Sequence, residues 1–302
     1  MPVGWLSRES LGLPAEPFAL DPESRLARGL VGWFHCTPYG AVDLVRASRR
    51  NPVDNSSGDI TRGVVAELGR VPVFSGDGTN DRIQIAGGSS IATSDPLSLA
   101  GLNTFTVAFA LTYNGSPNSS FPRVFDRSNG GNALNGYAVW LATGSPDKLA
   151  FRTGTTTSTT SATQWDSDGD PFAAHGVPYW CAFVGTDIDS VAGGQWYLNG
   201  LPIATTALAR NAATVPSVAT AMSIGNWNHT TDRMWDGAIA YVGIWNRALS
   251  PDEVWSLYEP ATRWDVYWRP RRFYMLPAAA GGGFQSAWAA RSTVTIQPGM
   301  VA

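Results

Sequence analysis

The chain has 302 residues, 44% of them hydrophobic and 11% aromatic, with a formal net charge of −3. That is enough apolar material for one large domain or two smaller ones, and the charge excludes binding nucleic acid by bulk electrostatics. Charged residues make up only 15%, against about a quarter in ordinary globular proteins, so the surface relies on Ser, Thr, Asn and Gly, as suits a β protein standing outside a cell or on a particle.

Cys36 and Cys181 are the only cysteines. They are too few for a disulfide framework, and either pair or remain buried thiols. Residues 1–29 carry Pro2, Pro14, Pro17 and Pro22 without sustained periodicity and read as an irregular arm. They lack the charged start, apolar run and cleavage site of a signal peptide, and no run approaches ~18 apolar residues. The expectation is a protein made in the cytoplasm, without a membrane span.

The sequence predicts a first strand at Leu30–Phe34, another near Asp43–Val45, and a polar loop over 51–59. Thr104–Tyr113 has the clearest alternation. Phe105, Val107, Phe109, Leu111 and Tyr113 fall on one side, and small residues such as Ala108 and Ala110 on the other. The large residues should face a core between two sheets. Tyr137–Leu141 and Leu149–Thr153 read as a hairpin through 144–147, followed by strands at Tyr179–Thr186 and Gln195–Leu198. Asn199-Gly200 is a strong two-residue hairpin turn into Leu201–Ile203.

Met222–Gly225 and Gly237–Trp245 are the last strands of the domain. The chain then breaks at Asn246-Arg247 and enters a short helix. Ser250 at the N-cap, Pro251 at the first position and Glu253 three residues after the cap form a capping box, while Val254, Leu257 and Tyr258 share one face. The domain is expected to span 30–260. A basic and aromatic tail over 261–302 follows, with Arg263, Trp264, Trp268, Arg269, Arg271, Arg272, Phe273 and Tyr274 as its assembly residues. A flexible linker at Ala278–Gly283 and an alternating segment at Ser292–Pro298 suit docking on another subunit, or adding a strand to a neighbour's sheet edge. Interface use of these arginines and aromatics fits better than single-stranded nucleic acid.

Trp235–Glu253 resembles the closing motif of laminin-G-like and pentraxin-like domains, members of the concanavalin-A-like jelly rolls. Val73–Ile85 is similar to the family's "F-D-G-x-x-D-Y-V-x-I" segment, and Gly194–Ile203 to its "L-Y-V-N-G" hairpin. The resemblance implies an all-β jelly-roll sandwich of two antiparallel sheets, about a dozen strands or slightly more, with one short helix near the C-terminus.

That fold hosts many unrelated tasks, so the site must decide function. Glycoside hydrolases of the fold need paired carboxylates on one strand, typically Glu-x-Asp-x-x-Glu. No glutamate occurs between Leu68 and Asp252, and no His-Glu-x-x-His, Gly-x-Ser-x-Gly or phosphate loop is present. His35, His175 and His229 are scattered and suit structural or surface roles. No catalytic residue is expected.

No cofactor is required, with calcium the one candidate. Asp166, Asp168 and Asp170 alternate as in oxygen-rich calcium loops but lack a downstream glutamate, leaving a solvated turn as the plainer reading. Asp77, Asn80 and Asp81 form a second cluster that turn chemistry also explains. The pentraxin resemblance places calcium ligands in Asp126–Asn135 and at Asn226–Asn228, where amides replace the family's carboxylates. Asn226, Trp227 and Asn228 are the candidate carbohydrate-binding residues, an aromatic face between two amides. The alternative is that Trp227 packs over the sandwich edge.

The resulting expectation is a non-catalytic recognition or structural protein. Laminin-G-like domains with a "W-R-P-R-R" tail resemble those of bacteriophage virions, as capsid decoration, head-fibre or tail-fibre adhesin proteins. That resemblance implies partners among other virion proteins or copies of the chain itself, together with host-surface glycans. A soluble calcium-dependent lectin and a glycoside hydrolase are the alternatives.

Overall fold

The computed structural model describes residues 20–267, apart from 38–39, 46–47, 51, 54–59, 76–80, 86–89, 116–120, 129–135, 144–146, 155–161, 191, 211–213, 218 and 228–232. Residues 40, 48–50, 52–53, 62 and 209–210 are described in their backbone only. The chain divides into a unit Met1–Arg269 and a second unit Pro270–Ala302. The linker, the final alternating segment and the tail residues Trp268, Arg269, Arg271, Arg272, Phe273 and Tyr274 lie outside the described residues.

Eighteen strands and one α-helix are present among the described residues. The larger sheet runs in the order β15 (Leu201–Ile203), β14 (Gly194–Leu198), β13 (Pro178–Gly185), β8 (Phe105–Thr112), β18 (Asp236–Trp245), β1 (Leu30–Thr37), β2 (Gly40–Asp43), β3 (Ser48–Arg50). β6 (Gly69–Ser75) pairs with the first residues of β18, and β5 (Thr61–Val65) pairs with β6. The smaller sheet runs β16 (Thr205–Arg210), β12 (Ala162–Ser167), β11 (Lys148–Gly154), β10 (Gly136–Ala142), β9 (Arg123–Ser128), β17 (Met222–Ile224), β7 (Arg82–Ile85), β4 (Pro52–Val53). All recorded pairings are antiparallel. The sandwich therefore has the expected architecture with more strands, because short ribbons such as β4, β5 and β16 extend its edges.

Period-two alternation builds the main core between the sheets. Phe105, Val107, Phe109 and Leu111 of β8 meet Tyr137, Val139 and Leu141 of β10 and Leu149 and Phe151 of β11 in one buried cluster. Phe151 and Phe183 stack at 4.4 Å. The Asn199-Gly200 turn forms as expected, with φ of 50° and 79°, the left-handed pair that a two-residue hairpin requires. Cys36 and Cys181 are both free and buried. They stand on β1 and β13, three strand spacings or about 14 Å apart, too far to bridge.

The opposite face of the larger sheet carries a second core. Ala108 and Ala110 keep the centre of β8 low, so further chain can lie across it. α1 (Pro251–Tyr258) lays Val254 and Leu257 on this face. Its capping box is complete, and Arg247 grips Glu253 through two 2.7 Å bonds. The hydrogen bonds from Arg247 and Ser250 hold the Glu253 carboxyl below its ordinary value.

Two further segments finish this layer, and both correct the sequence-based boundaries. Arg263 and Trp264, expected in a separate tail, are 6% and 3% exposed, and Val266 and Tyr267 are as deeply buried. Trp33 donates its indole N–H to Tyr267 Oη at 2.7 Å, while Arg263 lies 4.5 Å over Trp180 and reaches Glu67 at 3.0 Å. Apolar area removed from water outweighs the basic character of this stretch, so the sandwich extends to Tyr267 rather than 260. The end of the N-terminal arm is likewise structural. Leu26 is fully buried, its carbonyl accepts from Trp245 Nε1 at 2.7 Å, and Leu20 pairs antiparallel with Tyr267.

Candidate functional site

The outer face of the smaller sheet is built differently. The alternation that sends Tyr137, Val139 and Leu141 inward points Gly136, Ala138 and Trp140 outward. On β11 the outward positions are Lys148, Ala150, Arg152 and Gly154, and on β12 they are Ala162, Gln164 and Asp166. Cross-strand register gives two rows. Ser223, Asp126, Ala138, Arg152 and Gln164 stand opposite one another along the first, and Arg123, Trp140, Ala150, Asp166 and Thr206 along the second.

Each carboxylate on this face is already engaged. Asp126 is fully buried, accepts from Ser128 N and Oγ at 3.0 and 2.7 Å, and pairs with Arg123 at 3.3 Å. Asp166 accepts from Gln164 Nε2 at 2.8 Å, and burial pushes its carboxyl above the ordinary value. Asp168 receives Thr206 Oγ1, and Asp170 receives the Phe172 backbone N–H, both at 2.8 Å. The alternating Asp166, Asp168 and Asp170 thus begin in strand β12 and go to three different donors. Among the described residues no three His, Cys, Asp or Glu side chains converge as a metal ion would need.

Of the other candidates, Asp77, Asn80, His229 and 129–135 lie outside the described residues. Asp81 is fully buried, with its N–H 3.2 Å from Met234 Sδ. His35 lies 3.0 Å from Tyr267 Oη, and His175 packs edge-on to Tyr113.

The expected carbohydrate residues do not present an open aromatic face. Asn226 is fully buried and Trp227 is 6% exposed, while Asn228 lies outside the described residues. Asn226 Oδ1 accepts from the Trp227 N–H at 2.6 Å. The Trp227 ring lies 4.2 Å under the Arg233 guanidinium and 6.0 Å from that of Arg123, which in turn covers Trp140 at 4.4 Å. Cation–π contact therefore occupies the ring that a sugar would have used, and Trp227 is a packing residue of the sandwich edge.

Arg123, Trp140, Arg152, Gln164 and Asp166 were missed as a group. The signal was in the alternation of 136–142 and 148–154, where Gly and Ala with one Trp, one Lys and one Arg oppose a side that is apolar except for Thr153. Among the described residues, Trp140 and Arg152 on this face have unmet donors. Trp140, 4% exposed, has its indole N–H buried without a partner, and so does Arg152 at Nε. Arg152 is half-buried, and burial alone lowers its guanidinium pKa.

Several solved structures are similar to this chain. One is domain 4 of AbnA, a GH43 extracellular arabinanase from Geobacillus stearothermophilus, in complex with arabinotriose. It has 13% identity and a TM-score of 0.51, over 76% of this chain and 98% of that one. The binding domain of Paraclostridial Mosquitocidal Protein 1 gives 14% identity and 0.52, over 78% and 52%. Trypanosoma rangeli sialidase gives 14% and 0.47, over 76% of this chain but only 32% of the sialidase. The chain thus spans about half of the mosquitocidal structure and a third of the sialidase, and at these identities the likeness to the arabinanase and mosquitocidal domains is one of fold alone. No curated protein matches the sequence. The family model for laminin-G-type domains matches residues 85–255, more than half of the chain. With two jelly-roll sheets, a capped closing helix and that match, the chain belongs to the concanavalin A-like lectin/glucanases superfamily.

Proposed function

We propose that this protein is a non-catalytic recognition module that binds glycans on the outer face of its smaller sheet, as part of a bacteriophage particle. The observation that carries the recognition reading is the state of that face. Its carboxylates are tied to arginine, amide and hydroxyl partners, whereas Trp140 and Arg152 keep unmet donors. Hydrolysis by a carboxylate pair needs two free carboxyl groups flanking one bond, while sugar binding needs convergent donors beside an aromatic. The arabinotriose complex of the arabinanase domain supports the same reading by analogy of fold.

The particle assignment rests on the low content of charged residues and on the basic-aromatic sequence after Tyr267. In this reading that sequence anchors the chain to other virion proteins or to further copies, and the sandwich serves as capsid decoration, head fibre or tail-fibre adhesin. Light scattering of the full chain and of a chain ending at Tyr267 tests the anchor. An oligomer that becomes a folded monomer on truncation is expected, and unchanged assembly removes the anchor role. A glycan array tests recognition, with binding and no turnover of the bound oligosaccharide as the expected result.

A further inference from the structure

We infer that Arg152 marks a subsite for the carboxylate of an acidic saccharide, such as a hexuronate or a terminal sialoside. The inference deepens the glycan-binding reading and rests on it. Arg152 stands on β11, the third strand of eight from one edge, directly across from Ala138 on one side and Gln164 on the other. Its neighbours along the outer side of its own strand are Ala150 and Gly154. No carboxylate among the described residues is ion-paired with it, and its Nε is buried without a partner.

The contrast with its neighbours gives this meaning. Arg123, two strands away on the same face, has Asp126 at 3.3 Å, and Arg263 on the other sheet has Glu67 at 3.0 Å. An uncompensated guanidinium taken partly out of water is costly unless something anionic or acceptor-rich completes it. A planar fork of donors suits a carboxylate in two-point contact.

The surroundings fit one sugar ring. Trp140 lies diagonally across the β10–β11 pair from Arg152, about 7–8 Å between backbones, a span that a pyranose can cover. Its ring clusters with Ala138 and Ala150 beneath the Arg123 guanidinium and its indole N–H is buried, so Trp140 floors the patch beside Arg152. Gln164, opposite Arg152, is held by its bond to Asp166 and fixes that side of the patch. The ligand so described brings a carboxylate to the half-buried Arg152.

Calorimetric titration of the full chain tests this, with oligogalacturonate and sialyllactose as acidic probes and the corresponding galacto-oligosaccharide and lactose as neutral ones. Tighter binding of at least one acidic probe than of its neutral partner is expected. Arg152→Ala should weaken that binding about ten- to a hundredfold, with intermediate loss in Arg152→Lys and little change for neutral sugars. The melting temperature of Arg152→Ala should stay level or rise, because a half-buried unpaired charge is removed. A marked fall would show a structural arginine and overturn the proposal. Binding of neutral sugars alone, or acidic binding indifferent to Arg152→Ala, would overturn the subsite while leaving glycan recognition standing. Absence of binding by any saccharide on the array would remove both.

Discussion

The two outer faces of this sandwich come from the same strand chemistry and have opposite fates. On the larger sheet, small residues on β8 make room, and α1 with both ends of the described chain fill it, burying Trp33, Tyr241, Trp245, Trp264 and Tyr267. On the smaller sheet, small residues on β10 and β11 surround arginine, glutamine and a single tryptophan, and the apolar cluster there is limited to Ala138, Trp140 and Ala150 with Ala142 against it. The first face is a second apolar core, while the second sets the half-buried Arg152 and Gln164 among buried polar and small residues.

Truncation should separate the faces most sharply. A chain ending at Ala261 loses Trp264, Val266 and Tyr267 and should fail to fold, since deleting one buried aromatic alone costs about 3–5 kcal/mol. A chain ending at Tyr267 should melt close to the full-length protein. Similar melting curves for the two would reduce the second core to a surface coat.

Trp227→Ala is the next largest, at about 3 kcal/mol by denaturant titration, because the ring lies under Arg233 at the sandwich edge. A stable variant that loses only sugar binding would return Trp227 to the recognition face. Tyr267→Phe should cost about 1–3 kcal/mol, since it leaves the buried Trp33 N–H without its acceptor.

The smallest effect runs the other way. Burial raises the Asp166 carboxyl above its unfolded value, so its ionised form disfavours the folded state. That penalty is complete above the folded pKa and gone below the unfolded value near ~3.9. Asp166→Asn retains an acceptor for Gln164 and should therefore be the more stable protein at pH 7. The advantage should close as pH falls towards about 4, and stability curves at the two pH values measure it. Glu253 behaves oppositely. Its lowered pKa stabilises the protein at neutral pH, and that contribution is lost on acidification through the folded value.

Most of the fold was legible because its determinants are local. Alternation from Thr104 to Tyr113, the Asn199-Gly200 turn and the Ser250–Glu253 box each fix geometry within a few residues, and all three appear in the structure. Arg263 and Trp264 were misread because charge and aromaticity look alike in a mobile tail and in a strap laid on a sheet. Only the sheet beneath them, with Trp180 and Trp33 in place, distinguishes the two. The Arg152 patch was only half legible: alternation marks the outward residues of single strands but not their neighbours. Its members come from β9, β10, β11 and β12, and register alone brings them side by side.

The antiparallel pairing of Leu20 with Tyr267, reinforced by the Asp21 N–H to Val266 C=O bond at 2.9 Å, has a mechanical consequence. A load applied between these two points is met first by that single bridge, which opens by peeling. It need not be carried as shear across the sheets. The same closeness lets residues 20–267 be grafted into a host loop whose stems stand about 5 Å apart, without stretching either side.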